Sequence, residues 1–308
     1  MKKDLIDLIC LNKKEIIFIL DLADRIKKNP GVYSCLMENE TLLMIFEKPS
    51  LRTRVSFETG MTQMGGHAIY YDIAVSPMGQ KESIADTAKT ASRYVDLIMA
   101  RLFSHEQLSE LAENASVPVI NALTDFSHPC QILADLMTIR ERKNLDCLTL
   151  AYVGDCNNNV TNSLLFGCAI MGINITVSCP SEKKYFPQES VLEKAKQLAE
   201  KGKSIKIIKN PAEAVKNADV VYTDSWMSYH IPEKDKTKRI RALMPYQITK
   251  ALMLFAKKDA LFMNCLPAAR GMEQTAEIID GPQSVVFDQA ENRLHVQKAI
   301  MLKLLNKA

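Results

Sequence analysis

The chain has 308 residues, enough for two domains of ordinary size, and its 47% hydrophobic and 24% charged content excludes intrinsic disorder. Thirty-nine Lys+Arg against 36 Asp+Glu leave +3, too balanced for bulk attraction to nucleic acid or an anionic membrane. No apolar run approaches the roughly 20 residues of a bilayer span, and the eight cysteines form no CxxC pair, which argues against a disulfide framework or a zinc cluster. The N-terminal Met1-Lys2-Lys3-Asp4-Leu5 opens no apolar signal core, so the expectation is a reduced, cytoplasmic protein.

Short apolar runs alternate with amphipathic segments along the whole chain. Lys13–Lys28 has helical periodicity, Thr41–Phe46 reads as a buried strand, and Arg52–Met64 as the helix after it. Ala68–Asp72 is a second strand, Ile73–Lys81 a loop, Ser83–Tyr94 a helix, Leu97–Ala100 and Val117–Asn121 strands, and Pro129–Arg142 a long helix. A second series runs through the strand Leu148–Val153, the helix Val160–Met171, the strand Asn174–Ser178 and the helix Val191–Lys201. The strand Ile205–Ile208, the short helix Ala212–Asn217, the strands Val220–Thr223, Ala260–Asn264 and Val285–Phe287, and a helix Glu291–Asn306 complete it. The expected fold class is α/β, with two doubly wound parallel-sheet domains joined by interdomain helices. The first should cover 1–138, with a C-terminal helix over 289–308, and the second 139–288.

In such sheets ligands collect at the carboxyl ends of strands and the N-termini of the following helices. After Phe46 comes Glu47-Lys48-Pro49-Ser50-Leu51-Arg52-Thr53-Arg54, where free backbone N–H groups, hydroxyls and guanidinium groups make a phosphate site. The bland alternative is a capped helix with a solvated basic turn. Arg101 follows an apolar strand, where an unpaired charge is costly. His128, just before a helix that opens with Pro129, reads alone as a capping or hydrogen-bonding residue. Gly154-Asp155-Cys156-Asn157-Asn158-Asn159 occupies the place of a dinucleotide loop without its GxGxxG glycines, which argues against a nicotinamide-dependent oxidoreductase.

Taken together, Ser50-Leu51-Arg52-Thr53-Arg54, His128-Pro129-Cys130-Gln131, Asp224-Ser225-Trp226-Met227-Ser228, Cys265-Leu266-Pro267 and Asp288-Gln289-Ala290-Glu291-Asn292-Arg293 resemble, in order and spacing, the ornithine branch of the carbamoyltransferase family. The resemblance covers essentially the whole chain. It implies carbamoyl transfer from carbamoyl phosphate to the δ-amine of L-ornithine, in arginine metabolism, with no cofactor and no metal. By resemblance, Ser50, Leu51, Arg52 and Thr53 hold the phosphate, and Arg101 bridges it to the carbamoyl oxygen. His128 and Gln131 take the carbamoyl group, and Arg293 on the last helix returns to the first domain. Asn158, Asp224, Ser228 and the backbone of Tyr229 are expected to bind the α-amino acid end of ornithine, with Cys265 and Leu266 along its δ-amine. Arg101, His128, Cys265 and Arg293 are the implied catalytic residues. The implied assembly is a homotrimer with shared sites, the Ile73–Lys81 loop completing a neighbour's.

The chain departs from the family pattern at Leu51 (usually Thr), Pro77 (often Gln), Tyr229-His230 (usually Met-Gly) and Asn264 (usually His). Two rival readings therefore stand: transfer to another amine such as putrescine, and a non-catalytic paralogue that binds an anion. The putrescine relatives carry an extra C-terminal helix, which is not expected in a sequence ending at Ala308.

Overall fold

Thr41–Phe46 (β1) is closed to solvent from Met44 onward, as an interior strand of a parallel sheet requires. In the computed structural model it lies between β2 (His67–Asp72) and β3 (Leu97–Arg101), with β4 (Val119–Leu123) beyond, in the parallel order β2-β1-β3-β4. The structure describes residues 2–73, 78, 81–227 and 231–308. The helices of this part are α1 (Lys13–Lys28), α2 (Leu51–Gln63), α3 (Ile84–Ala91), α4 (His105–Asn114) and α5 (Pro129–Arg142). Ile45, Ile98 and Ala100 join Ile84, Ala88, Leu108 and Leu111 in one core cluster, and strand alternation sends Met44, Phe46 and Met99 to the opposite face.

The second sheet has five parallel strands: β5 (Thr149–Val153), β6 (Asn174–Ser178), β7 (Ile205–Ile207), β8 (Val220–Tyr222) and β9 (Leu261–Met263), in the order β7-β6-β5-β8-β9. Its helices are α6 (Asn159–Met171), α7 (Glu189–Leu198), α8 (Pro211–Val215), α9 (Lys236–Leu243), α10 (Lys250–Met253) and α11 (Ala276–Ile279). Helix α6 is buried on all sides from Val160 to Met171, which explains its uniformly apolar character. The last helix is α12 (Val286–Leu304).

Contacts divide the chain into two compact units, Met1–Met137 with Glu291–Ala308, and Thr138–Ala290. Both limits fall inside helices, α5 and α12. Within the first unit, Gly60 on α2 meets α12 closely: a Cβ there would stand 3.3 Å from Met301 Cε. No helix among the described residues is long and apolar enough to cross a membrane.

Three expectations need correction. Val285–Phe287 is not a strand: Ser284 makes one bridge to Phe262, and the chain then enters α12, with Phe287 largely exposed on its first turn. A three-residue apolar run has no period that separates strand from helix. For the same reason the final helix starts at Val286 rather than at 289. Helix α4 lies where the sequence reading has only a connection, although Ser104, three residues before Gln107, caps it by accepting from Gln107 N at 3.1 Å.

The N-terminal segment extends the first sheet, with Leu5 N donating to Val119 O (2.9 Å) and Asn121 N to Leu5 O (2.8 Å). Asp7 then caps a short turn from a buried position, accepting from Leu8 N at 2.5 Å. Burial raises its carboxyl from 3.8 to about 6, against the pull of the Leu8 N–H. An acid whose folded pKa exceeds its unfolded value holds its proton more tightly when folded, so stability falls as pH climbs from about 4 to about 6 and stays lower above. Asp7→Asn, which keeps the capping oxygen, should therefore stabilise the chain at pH 8 by up to about 3 kcal/mol and leave it unchanged near pH 4. Urea unfolding at the two pH values checks this; equal effects at both would contradict it.

Candidate active site

In the first unit strand order reverses between β1 and β3, which places a ligand crevice outside their carboxyl ends. The residues found there begin with Ser50, the N-cap of α2, whose Oγ accepts from Thr53 N (3.3 Å) and donates to Thr53 Oγ1 (3.1 Å). Leu51 occupies the first helical position with its side chain 75% exposed, so it brings only a backbone N–H to the helix start. Arg52 follows, half-buried. Arg101 ends β3 at a register shift against β4 between Ala100 and Arg101, the kind of irregularity that re-aims a side chain. Its Nη1 donates to Thr53 Oγ1 at 3.4 Å.

Arg293 of α12 reaches the same hydroxyl, Nη2 to Thr53 Oγ1 at 3.4 Å, while its Nη1 donates to Gln131 Oε1 at 2.7 Å. Gln131 in turn donates to Asp135 Oδ1 (2.8 Å), which fixes its amide. Gln297, one turn along α12, accepts from Arg293 Nε and Nη2 when its amide is oriented by the network. Three polar side chains thus converge on one hydroxyl, two of them through long contacts that a better acceptor would shorten. The structure brings Ser50, Thr53, Arg101, Gln131 and Arg293 into one network.

His128 is buried directly before Pro129. Burial first, then the charges of Arg293, Arg101, Lys48 and Arg52, hold its imidazole well below the ordinary range, so it is neutral at pH 7. The sequence reading left out Lys48. It is 4% exposed, sits in the same loop after β1, and places its ammonium 4.0 Å over the Phe103 ring. Burial and then Arg101 lower it from 10.5 to about 8, against the pull of Asp125 and Glu47. Glu47 pins this loop by accepting from Phe103 N at 2.6 Å and donating its own N–H to Arg101 O at 2.9 Å. The signal was the one that singled out Arg101, a charge beside a buried strand end.

In the second unit the order reverses between β5 and β8. Gly154 follows β5 at φ +138°, and a Cβ there would stand 3.2 Å from Thr223 Oγ1 and 3.3 Å from Trp226 Nε1, so glycine is required. Asn158 caps α6 by accepting from Thr161 N (2.8 Å), and its amide donates to Tyr152 OH (3.0 Å) and Asp155 O (2.6 Å). Its donors are engaged inside the loop. Asp224, after β8, accepts from Cys265 Sγ after β9 at 3.0 Å, so this pair of candidates does meet. Leu266 follows at φ +56°, its N–H held by Asn264 Oδ1 at 2.8 Å. Asn264 also donates to Gln274 Oε1 (3.2 Å), so this departure from the pattern is a turn residue satisfied at both ends of its amide. Ser228, Tyr229, His230 and Pro77 lie outside the described residues.

Two further residues of this unit escaped the sequence reading. Glu273 accepts from Trp226 N (3.0 Å) and Ala269 N (2.9 Å), and burial raises its carboxyl. Arg239 of α9 is ion-paired to Asp155 and donates to Trp226 O at 2.5 Å. Neither lies in a motif, and only the folded chain brings them to the strand ends. Among the described residues no group of His, Cys, Asp and Glu is placed to hold a metal ion.

Residues 3–141 match the family description "Aspartate/ornithine carbamoyltransferase, carbamoyl-P binding domain", and residues 146–304 match the Asp/Orn binding domain of the same family. The chain is 47% identical over 303 residues to the catabolic ornithine carbamoyltransferase of Halobacterium salinarum, covering 98% of this chain and 99% of that protein. The crystal structure of ornithine transcarbamoylase from Giardia lamblia superposes with a TM-score of 0.92 at 43% identity, covering 100% and 99% of the two chains. Ornithine carbamoyltransferase from Pyrococcus furiosus gives the same score at 46% identity, covering 98% and 96%.

Because Lys48 is partly deprotonated above pH 8, an anion bound beside it should draw a proton back onto it. Binding of inorganic phosphate at pH 8.5 should therefore take up protons, measured by calorimetry in buffers of different ionisation enthalpy. Lys48→Met should abolish the uptake and weaken phosphate roughly three- to tenfold at pH 7. Identical uptake in the variant would remove Lys48 from the site.

Proposed function

This chain belongs to the aspartate/ornithine carbamoyltransferase family, and we propose that it moves the carbamoyl group of carbamoyl phosphate to the δ-amine of L-ornithine, releasing L-citrulline and phosphate. The observation that carries this reading is the convergence of Ser50, Arg101 and Arg293 on the Thr53 hydroxyl, beside a neutral His128 and a fixed Gln131. A phosphate oxygen placed at that focus would receive the guanidinium groups, the Ser50 hydroxyl and the backbone N–H groups of the first turn of α2. Arg52 and Lys48, whose charges both act on His128, would add positive charge near it.

The neutral amine attacks the carbamoyl carbon, and a tetrahedral intermediate forms with negative charge on the former carbonyl oxygen. Phosphate leaves with the C–O bonding pair and takes up the proton that the attacking nitrogen sheds. Arg101 and the N–H of a neutral His128 would stabilise that oxygen, and Gln131, its amide held by Asp135 and Arg293, would orient the carbamoyl nitrogen. Catalysis here is positioning and charge stabilisation, so the groups need to be fixed rather than reactive. Asp224 would pair with the substrate's ammonium, and Cys265 and Leu266 would line the δ-amine through their carbonyls. Asn158 would offer its amide to the α-carboxylate in exchange for an internal bond, and Ser228 and the Tyr229 backbone would complete that contact.

We also assign the chain to the cytoplasm, to arginine metabolism, and to a homotrimer in which Lys81 and its loop serve a neighbour. The exposed apolar side chains of Leu51 and Val55, beside the phosphate-binding turn of α2, support a covered surface at that place.

Two assays test these readings. With carbamoyl phosphate and a panel of amines, ornithine should be used at least about a hundredfold better than putrescine, and Asp224→Asn should reduce ornithine use far more than residual putrescine use. Equal turnover of putrescine would overturn the ornithine assignment. For the shared site, mixing inactive Arg52→Gly and Lys81→Ala variants under subunit exchange should restore part of the activity, since some hybrid sites receive both intact groups. No recovery after verified exchange would mean that each protomer holds a complete site.

A further inference from the structure

We infer that Arg239 is a positioning residue for the amine substrate: its single guanidinium ties together three strand-end loops of the second unit and so fixes the distance between Asn158 and Asp224. The inference rests on the ornithine reading given above. Arg239 lies on α9, 9% exposed. Its Nη2 is ion-paired to Asp155, in the loop after β5 that ends at the Asn158 cap of α6. Its Nε donates to the carbonyl of Trp226, two residues beyond Asp224 in the loop after β8. Its plane stands 5.2 Å from the ring centre of Tyr185, in the loop after β6, and Tyr185 O accepts from Cys156 N at 3.0 Å.

The geometry suits arginine in particular. A planar fork can bond a carboxylate with one arm and a carbonyl with another while its face lies on an aromatic ring, and an ammonium has no equivalent. Asp155 spends its other oxygen on Asn157 N (3.1 Å), so the pair shapes the loop from both sides. The loops after β5 and β8 flank the point where strand order reverses, which is where a ligand of this sheet settles. Rotating either loop would separate the group expected at the α-carboxylate from the one expected at the ammonium. A shift of about 1 Å in such a pair is enough to cost two orders of magnitude in rate.

The test separates positioning from mere stability. Arg239→Met should raise the KM for ornithine at least tenfold while the KM for carbamoyl phosphate, bound by the first unit, stays within twofold. Because that variant strands Asp155 as a buried lone carboxylate, the double variant Arg239→Met/Asp155→Asn is measured beside it. Its melting temperature should return most of the way to the parent's, while the ornithine KM stays raised. Arg239→Lys should recover stability better than ornithine affinity. If the ornithine KM recovers together with the melting temperature, or never rises in Arg239→Met, the inference is overturned although the parent remains active. A parent that carbamoylates no α-amino acid would instead overturn the functional reading, and this inference with it.

Discussion

The first unit is organised around one electrostatic constraint: cationic side chains are buried together at the ends of β1 and β3. Lys48 and Arg101 come from strand ends and Arg293 from the last helix, and all three are buried. Much of their pairing is neutral, through Thr53, Gln131, Gln297 and the Phe103 ring. Burial first, and then the neighbouring cations, bring Lys48 down to about 8 and keep His128 neutral. A bound dianion would offset the charge of these cations. The surrounding fold supplies the rigidity: Glu47 and the backbone of Arg101 and Phe103 lock the loop, and Asp135 locks Gln131.

The second unit solves the opposite problem. Asp155, Asp224 and Glu273 are buried carboxylates near the ends of β5, β8 and β9. Asp155 is matched by Arg239, and Glu273 is held by two backbone N–H groups. Asp224 accepts from the Cys265 thiol, a weak donor, at the ends of β8 and β9. Each sheet is parallel and reverses its strand order once, and the two differ in the sign of charge at their strand ends. That difference matches the two reactants, one a phosphate and the other an amine.

Much of this was legible in the sequence, for reasons that differ from element to element. The strands β1, β3 and β5 are short, mostly buried apolar runs, and α1 carries its capping box in Asn12 and Glu15. The site motifs were legible because each is contiguous in sequence, most of them at a strand end or the first turn of the helix after it and one within α12. Part of what failed had no local signature. Val285–Phe287 is too short to show a period, and Arg239 and Glu273 act on loops far away in sequence. Lys48 lay in plain view beside Ser50, but its role depends on Phe103 and Arg101, which only the fold brings near.

The departures from the family pattern can be sorted by the same physics. Leu51 replaces a hydroxyl at an exposed position at the start of α2, where the backbone N–H is kept whatever the side chain. Asn264 replaces a ring with an amide that holds the Leu266 N–H and Gln274 at once, preserving the turn that presents Cys265 and Leu266. Both substitutions change the side chain and keep the backbone geometry on which charge stabilisation depends. The chemistry of this family asks its residues to hold positions rather than to react, and a site of that kind tolerates new side chains wherever the backbone still delivers its N–H and C=O groups to the same points.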